Sequence, residues 1–209
     1  MTGREKELCV VLCRHLRILS IDQIARGWWP PNRDARWRAR ADVNRLAQSK
    51  WLIPVTVLAR PLLELSLPMF AWAPGDAEPD YSLLEDGCRE RWECPAVQTE
   101  VAVAGRRALD VFGGSTPGGV KNACQTTHDL HVGEIFLRYR DGGLNWREQW
   151  VGEDAIAALW GWTKIPDAVL CDAAGTPVRA VDFGGAYGDE RLRDFHAACA
   201  AKSLPYELW

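Results

Sequence analysis

The sequence lacks any long apolar segment. No run approaches the roughly 18 apolar residues that span a bilayer, and Arg14, His15 and Arg17 interrupt the apolar residues among the first 20. We therefore expect neither a membrane-spanning helix nor a secretory leader. The seven cysteines are odd in number and irregularly spaced, which is typical of reduced thiols. These absences favour a cytoplasmic protein that contacts no membrane.

Metal-ligand pairs at zinc-finger spacing are also missing. Cys88 and Cys94 have no second pair that would complete a site. The glycine-rich stretch 113–119 is followed by Lys121, but it lacks the Gly-Lys-Ser/Thr ending of a phosphate-binding loop. We expect no bound metal, no cofactor and a flexible connection at this stretch.

An overall positive charge is absent as well, since the 25 basic residues are outnumbered by 28 acidic ones. This argues against a protein that binds nucleic acid over its whole surface. The charges are unevenly placed, however: residues 1–60 hold 12 basic and 5 acidic side chains, and residues 61–100 hold 2 and 9. A basic segment followed by an acidic connector is typical of a small DNA-reading module. A solvated basic face without a partner is the alternative.

Three short helices are predicted at the start of the chain. The apolar spacing of residues 5–19 predicts the first. Ser20 and Gln23 have the spacing of a capping box, so a second helix is expected from Ile21 to the prolines at 30–31. A third helix is expected over about 32–49, with Asn32 or Asp34 as its cap.

Two strand-like runs follow, at 53–59 and 62–72, and Arg60-Pro61 between them predicts a turn. Three helices and a β-hairpin are the arrangement of a winged helix-turn-helix domain, which we place at residues 1–75. In such domains the third helix enters the major groove of DNA.

Basic side chains cover the predicted third helix and its end. Arginine suits DNA binding because its guanidinium forks to guanine edges and clamps phosphates. Docking to an acidic protein surface is the alternative. Trp28, Trp29, Trp37 and Trp51 are expected in core and hinge packing. The expected DNA-binding residues are Arg33, Arg36, Arg38, Arg40, Arg45 and Lys50.

The rest of the chain changes in character. Residues 76–95 are rich in acids and are expected to form a linker or an exposed helix. Beyond them we expect strands at 98–103 and 108–112, a helix at 128–139 capped by Thr127, and a mixed sheet. That sheet would use strands near 145–151, 168–172, 178–183 and 205–209, with a helix over about 189–202.

The second half resembles the core of the PD-(D/E)xK nucleases. The resemblance is carried by Pro166-Asp167 and by Asp182-Phe183-Gly184 on the next expected strand. In active members the two acids hold a divalent metal, and a lysine two positions after the second acid helps activate water. Gly184 stands at that lysine position, so the resemblance implies a nuclease-like domain, over residues 96–209, that is not an enzyme.

Over nearly the whole length the chain resembles the replication-relaxation family, which includes mobilisation accessory proteins of plasmids. The matching segments are 127–132 (Thr-His-Asp-Leu-His-Val), 150–153 (Trp-Val-Gly-Glu), 165–169 (Ile-Pro-Asp-Ala-Val) and 181–182 (Val-Asp). The family usually carries glutamate at the position of Asp182 and a further acid at that of Gly184. The resemblance implies a winged helix joined to a nuclease-like domain.

Four acids, Glu134, Glu153, Asp167 and Asp182, are candidates to converge at one end of the sheet, where oxygen ligands would suit magnesium. Lys164 or Lys202 would then replace the missing lysine. His128, His131 and Glu134 recur every third position on one helix, but the outer two lie roughly 120° apart, which argues against a shared metal.

The sequence therefore predicts an α/β (α+β) protein with a winged helix at 1–75, an acidic linker at 76–95 and a degenerate restriction-endonuclease-like domain at 96–209. Its expected partner is double-stranded DNA, and the resemblance adds a relaxase or another protein of a mobile element. The expected process is plasmid mobilisation, replication or transcription control. A homodimer would suit this role because one recognition helix covers only a half-site. A metal-dependent nuclease and a protein-interaction adaptor are the alternatives.

Overall fold

A computed structural model describes residues 1–91, 94–114, 120, 122–160, 162 and 164–209. The expected flexible connection therefore lies largely outside the described residues, as does Lys121. The fold is mixed α/β, as the sequence predicts. None of the helices in the described part of the chain is both long and apolar enough to cross a membrane. All seven cysteines are free, and five of them are buried.

The elements follow one another along the chain in this order: α1 (Gly3–Arg14), β1 (Leu19–Ser20), α2 (Ile21–Trp28), α3 (Ala35–Gln48), β2 (Leu52–Ala59), β3 (Phe70–Trp72), α4 (Tyr81–Glu90), β4 (Val97–Ala104), α5 (Arg106–Phe112), α6 (Ala123–Asp141), α7 (Trp146–Gln149), β5 (Trp150–Gly152), α8 (Glu153–Trp160), β6 (Ala168–Cys171), β7 (Pro177–Asp182), α9 (Asp189–Ala200) and β8 (Tyr206–Leu208).

Backbone contacts divide these elements between two compact units. The first unit comprises Met1–Leu62 and Ala96–Leu137, and the second comprises Leu63–Pro95 and Arg138–Trp209. The boundary thus crosses α6, and the chain leaves the first unit after β2 and returns to it before β4. The consecutive ranges expected from the sequence differ from this interleaved division. The acidic connector contains the helix α4 and belongs to the second unit.

Local signals set the start of the first helices. The Ser20 hydroxyl accepts the backbone N–H of Gln23, whose side chain in turn accepts the N–H of Ser20. This capping box satisfies two amides that a helix N-terminus leaves open, and it confirms the predicted start of α2. Thr2 and Glu5 form a second capping box at α1. Asp34 precedes α3 without a side-chain cap, whereas Asn32 accepts the Asp34 N–H through its side chain.

The sheet of the first unit has the order β1-β4-β2 and is antiparallel throughout. The predicted hairpin between 53–59 and 62–72 is wrong. β2 pairs residue for residue with β4, from Leu52 opposite Ala104 to Ala59 opposite Val97. The run 62–72 forms a strand only at Phe70–Trp72, which pairs with β8. The strand that pairs with β2 therefore follows the acidic connector in the sequence.

The sheet of the second unit has the order β3-β8-β7-β6-β5. β5, β6 and β7 are antiparallel neighbours, and β7 and β8 are parallel. The predicted strands near 168–172, 178–183 and 205–209 are confirmed, as is the helix from Asp189. The run 108–112 is wrong as a strand because it lies in α5, and most of the strand predicted from 145 is the short helix α7.

α6 begins earlier than the sequence predicts. Thr127 lies inside the helix, where its hydroxyl donates to the Ala123 carbonyl and accepts the N–H of Arg60. It is therefore not the helix cap, and it serves as a buried polar contact within the first unit.

Candidate nucleic-acid interface

The third helix lies on the first unit with one narrow stripe buried. Ala35, Ala39, Val43 and Leu46 are buried at helical spacing, and they face α2 and β2. Because apolar residues at this spacing occupy a single side of a helix, the remaining sides of α3 face solvent. The apolar side of α3 is thus packed against the first unit, and the opposite side is open to solvent.

Every residue expected to bind DNA is exposed. The Arg33 side chain is 95% exposed and forms an ion pair with Asp34. Arg36 lies 2.7 Å from Asp22, and Arg40 forms an ion pair with Glu100 on β4. The Arg38 side chain makes no hydrogen bond or ion pair with any described residue. Lys50 follows the helix in a left-handed conformation with a φ of 60°.

Arg45 has a structural partner that sets it apart from the others. Its guanidinium binds the buried carboxylate of Glu5 and also Asp42, at 2.7 Å. Burial raises the pKa of the Glu5 carboxyl, but hydrogen bonds from Arg45 and the Thr2 backbone outweigh it and lower that pKa below its ordinary value of 4.5. Arg45 therefore ties the C-terminal part of α3 to the start of α1.

The packing predicted for Trp37 is wrong. Trp28 and Trp29 are buried, as predicted, but the side chain of Trp37 on α3 is 72% exposed. Asn44 and Gln48, on the same helix, are also exposed. The exposure of Trp37 could be predicted from helical spacing, because Trp37 does not lie on the buried side of α3.

A shallow depression of about 130 Å³ lies between α3 and the β2–β4 pair. Arg40 and Asn44 line it from the helix, and Thr56 and Glu100 line it from the sheet. Its mixed polar lining and small volume suit an edge of an extended partner better than an enclosed small molecule.

Glu134 belongs to the first unit, where it completes a polar network. Its carboxylate accepts two hydrogen bonds from Arg26, at 2.8 and 2.7 Å, and a third from Gln23. Burial raises the pKa of Glu134, but these contacts outweigh it and lower the pKa below its usual range. The ring of His131 is buried and lies 2.7 Å from the Thr127 carbonyl. These contacts give Glu134 and His131 a structural role.

Asp167 and Asp182, two of the candidate acids, come together in the second unit, and a third, Glu153, is bonded to Asp167 through its backbone. Asp167 precedes β6 and Asp182 ends β7, and the antiparallel pairing of these strands brings them to the same edge. The Asp167 N–H donates to the Asp182 carboxylate at 3.2 Å, and the Phe183 N–H donates to the Asp167 carboxylate at 2.8 Å. The Glu153 backbone N–H donates to the Asp167 carbonyl at 3.0 Å.

The buried end of β7 is surrounded by further ionisable groups. Asp182 is 2% exposed, and burial together with the charges of Asp182 and Asp167 raises the pKa of Tyr187 above its usual range. The Tyr187 hydroxyl accepts a hydrogen bond from Arg191 at 2.9 Å. Burial and the charge of Arg191 lower the pKa of Lys164, against the opposing effect of Asp182.

Lys202 and Gly184 also bear on the predicted nuclease site, and both positions are involved in packing contacts. The Lys202 ammonium lies 5.0 Å from the centre of the Trp162 ring, in a cation–π contact. At Gly184, a Cβ atom would lie 2.9 Å from the Cys88 sulfur and 3.3 Å from Leu208. Within the described part of the chain, no group of three or more histidine, cysteine or acidic side chains is placed to hold a metal ion.

Comparison of the chain with protein-family models, with curated proteins and with solved structures finds no match.

Proposed function

We propose that the protein binds duplex DNA through α3 and acts as an accessory or regulatory factor. The observation that carries this proposal is the outer surface of α3, on which the predicted arginines are exposed on either side of the buried apolar stripe. A helix of this kind fits the major groove, and guanidinium groups suit both phosphates and guanine edges.

The connectivity of the first unit supports a winged-helix assignment. The order α1-β1-α2-α3-β2-β4, with the three strands arranged as β1-β4-β2, places α3 directly before a long antiparallel pair. In the proposed assignment α3 is the recognition helix and β2 and β4 form the wing. The long connection between these strands takes the place of a tight wing tip.

The ion pairs on α3 are compatible with DNA binding. Arg36 and Arg40 are paired with Asp22 and Glu100, but all four side chains remain about half exposed. Exposed pairs of this kind contribute only about 0–1 kcal/mol each. A duplex phosphate is a competing partner of high charge density, so these arginines can exchange an internal carboxylate for DNA at small cost.

The biological setting is proposed from the family resemblance. It favours a cytoplasmic factor of a mobile element that assists a relaxase at a transfer origin or controls replication or transcription. A homodimer would place two copies of α3 on two half-sites. The second unit is then proposed to be a degenerate nuclease-like domain that serves partner docking or dimerisation.

DNA binding is tested by fluorescence anisotropy with a labelled random duplex at low salt. We expect saturable binding by the full chain and a loss of most of that binding when Arg36, Arg38 and Arg40 are changed together to alanine. These side chains are exposed, so circular dichroism should show an unchanged fold. Absence of binding by the unaltered chain would refute the proposal and favour the protein-interaction adaptor.

A metal-dependent nuclease is the second candidate, and the contact between Asp167 and Asp182 favours it. Incubation of supercoiled plasmid with magnesium or manganese tests it. We expect no cleavage, because the lysine position of the motif is occupied by Gly184 in a packed environment. The control is Asp172→Asn, which changes an acid in the turn between β6 and β7. Cleavage that is lost in Asp182→Asn but kept in this control would establish the nuclease instead.

A further inference from the structure

The outward ridge of α3 consists of four residues: Trp37, Ala41, Asn44 and Gln48. Each residue turns an α-helix by about 100°, which places these four within roughly 60° of one another. Their mean direction is opposite the buried stripe formed by Ala35, Ala39, Val43 and Leu46. A partner that approaches α3 along its outer surface meets this ridge first.

Arginines border the ridge on both sides. By the same rotation, Arg36 and Arg40 lie on one flank, and Arg38 and Arg45 lie on the other. A helix in the major groove has a phosphate strand on each side and base edges in front of it. The arrangement of α3 therefore matches the groove by charge: cations face the two backbones and uncharged side chains face the bases.

The ridge carries groups suited to one base in particular. Asparagine and glutamine present an adjacent donor and acceptor, which match N6 and N7 of adenine in a bidentate contact. The side-chain amides of Asn44 and Gln48 make no hydrogen bond with any described residue. Ala41 is small enough to let the helix backbone approach, and the exposed indole of Trp37 offers apolar surface to a thymine methyl group.

We infer that Asn44 and Gln48 read adenine–thymine pairs in the major groove while the flanking arginines hold the two backbones. This inference rests on the proposed DNA-binding function and adds its sequence preference. The two amides are four residues apart, about 6 Å along the helix, and the base pairs of a duplex are about 3.4 Å apart. The adenines they read should therefore lie within about two base pairs of each other.

Selection from a randomised duplex pool with the full chain tests the inference. We expect the enriched sequences to share adenines at this spacing. The wild-type protein should bind the selected duplex more tightly than a duplex in which one adenine–thymine pair is changed. Asn44→Ala and Gln48→Ala should each reduce this discrimination by about 5- to 100-fold. Their affinity for unselected DNA should fall less than this discrimination does. Asn145→Ala, which removes an exposed amide from the second unit, is the matched control and should keep the discrimination.

The outcomes separate this inference from the function on which it rests. Binding without any enriched sequence, or enrichment that both alanine variants retain, would overturn the reading role and leave DNA binding intact. Enriched guanines that depend on Arg38 or Arg40 would assign the reading to arginine and overturn it as well. No binding to any duplex would refute the proposed function itself. Alanine favours helix, so both variants should fold.

Discussion

Gly184 occupies the position at which the nuclease motif places its lysine, and its neighbours leave little space for a side chain. A Cβ atom there would lie 2.9 Å from the Cys88 sulfur and 3.3 Å from Leu208. The Gly184 N–H also donates to the Trp209 carbonyl at 2.9 Å. This position is therefore tightly packed, and we expect that introducing a lysine there would not by itself create a nuclease.

This packing predicts that Gly184→Ala lowers the free energy of unfolding by about 1–3 kcal/mol, the usual cost of extra atoms in a packed region. Gly184→Lys should be at least as destabilising and should gain no cleavage. Urea denaturation measures both. Gly3→Ala is the control, because a Cβ at Gly3 meets no atom within 4 Å. Unaltered stability in Gly184→Ala would show that the neighbours yield easily and that the site is open to a side chain.

Glu5 predicts a pH dependence of stability. Burial opposes its ionisation, but the contacts with Arg45 and Thr2 outweigh burial and lower the pKa of Glu5 in the folded chain. A carboxyl whose folded pKa lies below its unfolded value stabilises the fold fully above the unfolded value, and this contribution is lost as pH falls through the folded pKa. Stability should therefore decrease below about pH 4.5, the ordinary value for this group.

Urea midpoints measured between about pH 7 and about pH 3.5 check this expectation. Glu5→Gln should be less stable than the unaltered chain at neutral pH, and the difference should shrink as the pH falls. Glu64→Gln, which changes an exposed carboxylate, should run parallel to the unaltered chain. A constant difference between Glu5→Gln and the unaltered chain over this range would contradict the assigned role of the Glu5–Arg45 pair.

At the scale of elements, the bounds of helices could be predicted from neighbouring residues. The pairing of strands that lie far apart in the chain could not. The capping box at Ser20 and the apolar periodicity of α9 are encoded within a few residues, so both elements were predicted near their observed bounds. The pairing of β2 with β4 joins residues separated by the whole acidic connector. Periodicity describes each strand by itself and contains no information on which strand it pairs with, and the predicted pairing of β2 with the next run in the sequence is therefore wrong.

The same contrast between local and distant contacts applies to the candidate site. The exposed arginines of α3 could be predicted because they interrupt a short apolar stripe, whereas the partners of Arg40 and Arg45 could not. Those partners, Glu100 and Glu5, come from β4 and α1. The contact between Asp167 and Asp182 was among the convergences predicted for the four acids. Glu134 is bound by Arg26 and Gln23 of the first unit, and its periodicity in the sequence does not predict these partners.

The β2–β4 pairing makes β4 a central strand, which predicts a difference between two valines on it. Val101 is fully buried and lies opposite both Ser20 and Val55, whereas Val97 is 47% exposed at the end of the strand. Val101→Ala should lower the free energy of unfolding by roughly 2 kcal/mol, and Val97→Ala should change it by less than about 0.5 kcal/mol. Equal urea midpoints for the two variants would contradict this placement of β4.

At the scale of the whole molecule, the two units carry net charges of opposite sign. By the bounds of the two units, the first unit holds 15 basic and 9 acidic side chains, and the second holds 10 and 19. The net charges are therefore +6 and −9. Because the acidic connector belongs to the second unit, that unit as a whole is poorly suited to a polyanion. The charge thus favours DNA contact through the first unit.

This separation predicts how salt should weaken DNA binding. Each phosphate contact that is lost reduces the slope of log K against log[salt] by about 0.9. Changing Arg36, Arg38 and Arg40 to alanine should therefore reduce the slope by about 2 to 3. The matched control changes three exposed arginines of the second unit, Arg89, Arg147 and Arg193, and alters the net charge equally.

The control should keep the slope of the unaltered chain, because a contact counts only where the guanidinium meets a phosphate and displaces its counterions. Anisotropy titrations over a series of salt concentrations measure all three proteins. Equal reductions in both variants would mean that DNA responds to the net charge of the chain and not to α3. A reduced slope confined to the α3 variant would assign the phosphate contacts to α3, whose apolar side is buried and whose opposite side is exposed.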